Sequence, residues 1–159
     1  MTQSLGKDYQ AIVAAPGFCI GVRCDGDEIH ALEYLEPCPE RLPTNPLAAE
    51  TVRQLRAYLV DADFEFGLPL RPSGTAFQRR VWAQIAAIPS HQTLTYGEVA
   101  KALRNAPRAV GQACGANPFP LVVPCHRVIA TGGGLGGFAR NGGGFMLDVK
   151  RWLLAHEHR

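Results

Sequence analysis

A short apolar run between prolines constrains the fold of this chain most. It is Leu-Val-Val at 121–123, inside the stretch GANPFPLVVPCHRVI at 115–129. Three consecutive large aliphatic side chains leave no polar face for water, which predicts a short buried strand that ends at Pro124. Cys125 would then lie at the tip of a rigid element, with its thiol held in position.

Cys125 by itself is compatible with two interpretations. A buried cysteine at the end of a strand is most often a small core residue. Cysteine is nucleophilic as the thiolate, however, and nearby cationic side chains favour that form. His126 and Arg127 offer such a field, although adjacent side chains on an extended chain point to opposite faces. His126 would therefore reach the thiol only if the chain turns there, or through a water.

Length, charge and cysteine usage limit the class of protein. A chain of 159 residues, 47% of them hydrophobic and 19% charged, is typical of a soluble globular protein with one domain or two small ones. Its net charge is only +2, so any affinity for nucleic acid would come from a local patch. Five cysteines, without a signal peptide or a membrane-spanning run, predict reduced thiols in the cytoplasm and no membrane association.

The N-terminal segment predicts a small antiparallel meander. Alternating apolar residues at 9–15, 18–23 and 29–34 are separated by Pro-Gly and Asp-Gly-Asp turns. Three residues of types that bind metals lie within it: Cys19, Cys24 and His30. Their spacing matches no common zinc signature, so we expect no metal site and cysteines packed in the sheet.

A helix and a domain boundary are predicted next. Asn45 before Pro46 is a typical helix start, because an asparagine caps the first turn and proline suits its first position. Apolar residues then recur at helical spacing on one face: Ala48, Val52, Leu55 and Leu59. The stretch LPLRPS predicts a boundary between two domains, 1–72 and 73–159.

The second half is predicted to be mostly helical. Two of its helices begin with a capping box, in which a threonine hydroxyl and a longer side chain three residues later bind each other's backbone. The pairs are Thr75 with Gln78 and Thr95 with Glu98. A further helix is expected to start at Pro107 and to end at Gly115. Two short helices joined by a polar turn are compatible with a helix-turn-helix or with an ordinary helical hairpin.

The helix that starts at Pro107 is unusual for its small side chains. Ala109, Gly111 and Ala113 give it little bulk, so its backbone can press close to another surface. That surface is either a protein core or the narrow minor groove of DNA. Arg108, in its first turn, has no obvious partner in the sequence.

Five motifs together resemble one protein family. They are GTAFQRRVW at 74–82, RAVGQA at 108–113, GANPFP at 115–120, PCHRVI at 124–129 and KRWLLAHE at 150–157. With them the chain resembles the O6-alkylguanine-DNA alkyltransferases, which are single-turnover DNA repair proteins. The resemblance implies an α+β fold, with a ribonuclease H-like N-terminal domain (a small antiparallel sheet with a helix) and a mostly helical, winged-helix-like DNA-binding domain.

The resemblance also implies a reaction. The Cys125 thiolate would attack the alkyl carbon on O6 of guanine, or on O4 of thymine, and keep the alkyl group as a thioether, so that each repair consumes one protein. A hydrogen-bond relay would run from Cys125 through water to His126 and Glu157, while Asn117 would structure the turn. The partner would be double-stranded DNA carrying O6-alkylguanine, bound by a monomer without cofactor or metal.

Further residues are implied to contact the DNA. Tyr96 would help to recognise the flipped base, and Arg108 would take the place of the flipped guanine in the stack. Its helix would enter the minor groove through small residues: Ala109, Gly111 and Ala113. The base pocket would be formed by three more: Val128, Phe138 and Ala139. Candidates for a positive surface are Lys101, Arg104 and Arg127.

Two other functions use the same features. An alkyl-lesion-sensing DNA-binding protein would share the fold without the chemistry, but such proteins carry another residue where this chain has Cys125. A cysteine hydrolase would use Cys125 with His126, but it would also need an oxyanion hole, for which the sequence offers no clear candidate.

Overall fold

The computed structural model of the protein describes residues 9–132, 134 and 144–158. The chain divides into two compact units, Met1–Pro72 and Ser73–Arg159. Within the described ranges, no helix combines the length and the apolar character that crossing a membrane requires.

The first unit contains a three-stranded antiparallel sheet. Its strands are β1 (Ala11–Ala15), β2 (Phe18–Cys24) and β3 (Ile29–Leu35), hydrogen-bonded in that order. Gly17 has a φ of 84°, which the tight turn between β1 and β2 requires and which glycine adopts without strain. The predicted meander is confirmed, and Cys19 and Cys24 are buried in β2 as expected.

One helix packs on this sheet. The helix α1 (Pro46–Val60) begins as predicted, with Asn45 as its N-cap, and the Asn45 side chain accepts a hydrogen bond from the Ala48 amide at 2.8 Å. Its buried face carries Ala48, Val52 and Leu55. The α+β character of the N-terminal unit thus follows from patterns that are local in the sequence.

The second unit is mostly helical. Its elements are α2 (Ala76–Ala86), β4 (Leu94–Thr95), α3 (Tyr96–Leu103), α4 (Pro107–Gly115), a 3₁₀ turn (Cys125–Arg127), β5 (Val128–Ile129) and α5 (Phe145–Glu157). Both predicted capping boxes are present, with Thr75 and Gln78 at the start of α2 and Thr95 and Glu98 at the start of α3. The bounds predicted for α4 are also confirmed.

The strand predicted at 121–123 is wrong. These residues form a turn in which Leu121 has a φ of 75°, and the Val123 amide donates to the Phe119 carbonyl at 2.8 Å. Leu121 and Val123 are nevertheless buried. The aliphatic run therefore indicates burial and not an extended backbone, because Leu121 takes the left-handed conformation and the Val123 amide bonds within the turn instead of to a neighbouring strand.

A two-residue parallel bridge, which the sequence did not predict, sets the position of the turn that follows. Leu94 in β4 pairs with Val128 in β5, and Thr95 pairs with Ile129. Because α3 starts directly after β4 and the 3₁₀ turn ends directly before β5, the bridge holds Tyr96 close to the cysteine turn.

Candidate active site

Cys125 opens the 3₁₀ turn and is only 4% exposed. The turn is closed by the Arg127 amide, which donates to the Pro124 carbonyl at 2.9 Å. Cys125 and His126 are therefore buried on a curved segment and not on an extended one. Because the chain turns here, the adjacent side chains of Cys125 and His126 can belong to one site.

His126 is held by Glu157, as the resemblance implied. Its Nε2 lies 2.7 Å from Oε2 of Glu157, and both side chains are buried. A carboxylate only accepts hydrogen bonds, so we assign the ring proton to Nε2. The other ring nitrogen, Nδ1, is buried and has no hydrogen-bond partner within the described part of the chain. This nitrogen is left as an acceptor.

Arg127 also binds Glu157. Its Nε donates to Oε1 at 2.8 Å and its Nη2 donates to Oε2 at 2.9 Å, while Nη1 donates to the Ile88 carbonyl at 2.6 Å. The Arg127 side chain is only 12% exposed. Arg127 thus forms an internal ion pair with Glu157. It is not part of a positive DNA-facing surface, because the buried carboxylate holds the guanidinium inside the protein.

The charges of its neighbours in sequence do not hold the resting Cys125 thiol as a thiolate. Its pKa is raised, first by a hydrogen bond with the thiol of Cys114 and then by burial. Two groups act in the opposite direction and favour the thiolate, the Asn117 side chain and the charge of Lys150. The predicted field from His126 and Arg127 is therefore replaced by a lysine that lies 25 positions later in the chain.

Lys150 is a residue beside the thiol that the sequence analysis did not single out. Its side chain is 0% exposed, and Nζ donates to the Val128 carbonyl at 2.8 Å. Burial lowers its pKa to about 8, which the nearby sulfurs of Cys114 and Cys125 partly oppose. A signal was present, because Lys150 lies three positions before the buried Leu153 and so belongs to the inward side of α5.

Asn117 and Tyr96 complete the surroundings of the thiol. The Asn117 Nδ2 donates to the Val123 carbonyl at 2.9 Å and to the Cys125 sulfur at 3.4 Å, so the amide joins the end of α4 to the cysteine turn. Nζ of Lys150 lies 5.8 Å from the centre of the Tyr96 ring. Burial raises the pKa of the Tyr96 hydroxyl, which therefore stays protonated and able to donate.

We call the five interacting groups at this turn and on α5 the thiol cluster. Its members are Cys125, His126, Arg127, Lys150 and Glu157. They combine a soft nucleophile, an acceptor for its proton, an orienting carboxylate and two cations. Such a set can generate a thiolate in a buried site and can deliver it to an electrophilic carbon.

The residues expected to face DNA lie in different environments. Arg108 is exposed and makes no hydrogen bond or ion pair with any described residue. Ala109 and Gly111 are half-buried, and a Cβ at Gly111 would meet nothing within 4 Å. Ala113 instead faces the core and is not accessible to a ligand, since its carbonyl accepts from the Trp82 indole at 2.9 Å and holds this side of α4 against α2.

Three residues were expected to form the base pocket. Both backbone polar groups of Val128 are engaged, because its amide donates to the Cys125 carbonyl and its carbonyl accepts from Lys150. A carbonyl has two lone pairs, so one remains for a ligand. Phe138 and Ala139 lie outside the described residues.

The chain is similar to known proteins over most of its length. A family model described as 6-O-methylguanine DNA methyltransferase, DNA binding domain, matches residues 76–159. A methylated-DNA–protein-cysteine methyltransferase of Mycolicibacterium paratuberculosis is 46% identical over 127 residues, which are 78% of this chain and 74% of that protein. The crystal structure of Mycobacterium tuberculosis O6-methylguanine methyltransferase matches with a TM-score of 0.78 at 35% identity, over 92% of this chain and 90% of that one. The crystal structure of Mycobacterium tuberculosis OGT in complex with DNA matches with a TM-score of 0.76 at 35% identity, over 92% and 91% of the two chains.

Proposed function

This chain belongs to the methylated-DNA–protein-cysteine methyltransferase family, and we propose that it repairs DNA directly, by moving the alkyl group from O6 of guanine, or from O4 of thymine, to its own Cys125. The substrate is duplex DNA, and the protein acts as a monomer. Each molecule reacts once, because a thioether offers no hydrolytic exit comparable to that of a thioester.

One observation carries the assignment of roles. His126 is buried next to Cys125, with Nε2 bound to Glu157 at 2.7 Å and with Nδ1 free of any partner among the described residues. An imidazole held in this way has its lone pair on Nδ1, which is the arrangement of a general base. The nucleophile and its base are thus adjacent, and the carboxylate fixes the tautomer.

The reaction follows from these positions. The Cys125 thiol gives its proton to Nδ1 of His126, directly or through a water, and the thiolate attacks the alkyl carbon. The carbon–sulfur bond forms as the carbon–oxygen bond breaks, and the electron pair of the broken bond leaves on guanine. The guanine anion then takes up one proton, so the overall reaction creates no charge. Lys150 stabilises the thiolate while it exists, because its ammonium group acts on the Cys125 sulfur.

DNA recognition rests on the exposed side of α4. In duplex DNA, O6 of a paired guanine takes part in base pairing, so the base must leave the stack to reach a buried thiol. We assign to Arg108 the role of filling the space that the flipped base vacates, because its guanidinium is exposed and has no partner in the described structure. The helices α3 and α4 act as a helix-turn-helix, with α4 in the minor groove, and Tyr96 donates a hydrogen bond to the flipped base.

The test is intact-protein mass spectrometry after incubation with duplex DNA that contains O6-methylguanine. We expect a gain of one methyl group per protein molecule, located on Cys125 by peptide mapping. The Cys125→Ser variant should gain none, and unmodified duplex DNA should leave the wild type unchanged.

Two results would contradict the proposal. Tight binding to the lesion without a change in mass would identify a lesion sensor whose thiol is not activated. Release of free methanol with repeated turnover would identify a hydrolase.

A further inference from the structure

Glu157 is shared between two partners in the thiol cluster. The carboxylate is 0% exposed and accepts from His126 at 2.7 Å and from two nitrogens of Arg127 at 2.8 and 2.9 Å. The third contact of the guanidinium, to the Ile88 carbonyl at 2.6 Å, ties it to the segment after α2. Arg127 is therefore fixed from both sides, and its charge lies directly on the carboxylate.

The charges in this arrangement change what Glu157 does to His126. A buried carboxylate paired only with a histidine favours the imidazolium, because the two opposite charges then compensate each other. A guanidinium stays protonated at every pH of interest. With Arg127 bidentate on Glu157, the carboxylate is already compensated, and a proton on His126 would add an uncompensated positive charge to a buried site that also contains Lys150.

We propose that Arg127 is a positioning residue for the alkyl transfer: it neutralises Glu157 and thereby keeps His126 uncharged, with Nδ1 able to accept the proton of Cys125. The effect on alkyl transfer rests on the proposed function, whereas the contacts among Arg127, Glu157 and His126 do not. Glu157 then orients the ring without protonating it. Without Arg127, the resting histidine would carry the proton already and would not act as a base.

The charged groups around His126 agree with this role. Glu157 and Lys150 face it from α5, and Arg127 faces it from its own turn. The pKa of His126 is lowered, first by burial; Glu157 raises it, while Arg127 and Lys150 lower it. Removal of the guanidinium removes one lowering influence and leaves the raising influence of Glu157 unshared. The pKa of His126 must then rise.

The direct test is an NMR pH titration of the His126 imidazole in the full chain, with labelled histidine and with the His126 signal assigned by its loss in His126→Asn. In the wild type, the ring should remain neutral down to below the usual histidine pKa of about 6.5. Arg127→Gln should raise the midpoint by about 1 to 3 pH units. Arg127→Gln combined with Glu157→Gln should bring it back down.

Two further variants separate charge from architecture. Arg127→Lys keeps the positive charge but removes the bidentate guanidinium, so His126 should remain uncharged at neutral pH. Arg151→Gln is the matched control, because it removes one positive charge from the exposed side of α5, where Arg151 pairs with Asp148 at 2.9 Å. An unchanged midpoint in folded Arg127→Gln would overturn the proposal. If that variant does not fold, a protonated His126 at neutral pH in Arg127→Lys would overturn it.

The second readout is the pH profile of methyl transfer to Cys125. In Arg127→Gln, the acid limb of the rate should move to higher pH by the same amount as the NMR midpoint, with recovery of the rate on the alkaline side. A uniform loss of rate at every pH would indicate a structural role only and would contradict the proposal. The NMR titration needs no reaction, so its result stands even if the wild type transfers no alkyl group.

Discussion

Charged groups are paired in the thiol cluster, whereas the exposed side of α4 carries a charged group without a partner among the described residues. In the cluster, the charge of Glu157 is compensated by Arg127, His126 donates a hydrogen bond to the same carboxylate, and the Lys150 ammonium donates to a backbone carbonyl. On α4, Arg108 is exposed with no partner in the described ranges, and the space beside Gly111 is open. The groups proposed to react are thus held by internal pairing, whereas the surface proposed to bind DNA has an unpaired cation.

Each arrangement has a different relation to stability. A buried charge network is coupled to folding, because the loss of one member leaves another uncompensated. An exposed, unpaired side chain contributes almost nothing to folding and is free to act on a ligand. Substitutions in the cluster should therefore change stability and reaction together, whereas replacement of the exposed Arg108 side chain should change only what depends on DNA.

The largest effect is expected from Glu157→Ala. This variant leaves the Arg127 guanidinium and the His126 ring buried without their carboxylate, so the free energy of unfolding should fall by about 3 to 5 kcal/mol. Urea denaturation measures the change. Asp148→Ala is the matched control on the same helix, where an exposed pair with Arg151 should account for less than about 1 kcal/mol. Equal effects of the two variants would contradict the distinction between a coupled cluster and a solvated surface.

Lys150→Met should change how stability depends on pH. The pKa of Lys150 is about 8 in the folded protein and 10.5 as a free side chain, so the unfolded chain holds the extra proton between these values. The Lys150 contribution to stability therefore rises with pH across this window, by at most on the order of 3 kcal/mol, since each pKa unit corresponds to about 1.4 kcal/mol.

Comparing the wild type with Lys150→Met isolates the contribution of Lys150 to the pH dependence of stability. The raised pKa of Cys125 acts in the other direction, because the unfolded chain loses its thiol proton first. We therefore expect the difference in unfolding free energy, wild type minus Lys150→Met, to grow from pH 8 to pH 10.5. Chemical denaturation at a series of pH values measures it. A constant difference would show that Lys150 is not buried as an ammonium.

Arg108→Ala should separate recognition from stability. The unfolding free energy should stay within about 0.5 kcal/mol of the wild type, because the side chain is exposed and makes no hydrogen bond or ion pair with a described residue. If the arginine offsets about 2 kcal/mol of unstacking, repair of duplex DNA should slow about thirtyfold. The rate with free O6-methylguanine base should not change. Equal losses on both substrates would refute a role in base flipping.

The smallest effect is expected from Gly111→Ala. An alanine inside a helix is about 1 kcal/mol more favourable than glycine, and the added Cβ meets no atom of a described residue within 4 Å. The variant should therefore be slightly more stable but should bind duplex DNA more weakly, since the extra methyl group lies where we propose that the minor groove approaches. Gln112→Ala, at the next and exposed position, is the control. Undiminished affinity of Gly111→Ala would mean that the groove does not approach α4 there.

Local patterns in the sequence were reliable where one turn of chain decides the outcome. The Asn45 cap and the two threonine capping boxes mark the starts of α1, α2 and α3 as expected. Each of these signals needs only groups within three residues of one another. The meander was equally local, because a tight turn fixes the register of the two strands that it joins.

The apolar run at 121–123 shows what local sequence patterns fail to predict. Its composition correctly indicated burial, but the extended backbone was wrong, because a local turn with Leu121 in the left-handed conformation binds the Val123 amide. The pairing of β4 with β5 was missed for the opposite reason. Two residues carry no periodicity, and their partners are 34 positions apart.

The sequence alone determined which residues are available for the proposed chemistry, a thiol with a histidine beside it and a distant glutamate, and the helix that carries the glutamate. The tertiary structure alone decided how their charges combine. It paired Arg127 with Glu157 and brought Lys150, which lies 25 positions after Cys125 in the chain, close enough for its charge to act on the sulfur. The reason is that electrostatic effects depend on distance through space and on burial, and a linear sequence states neither for residues on different elements.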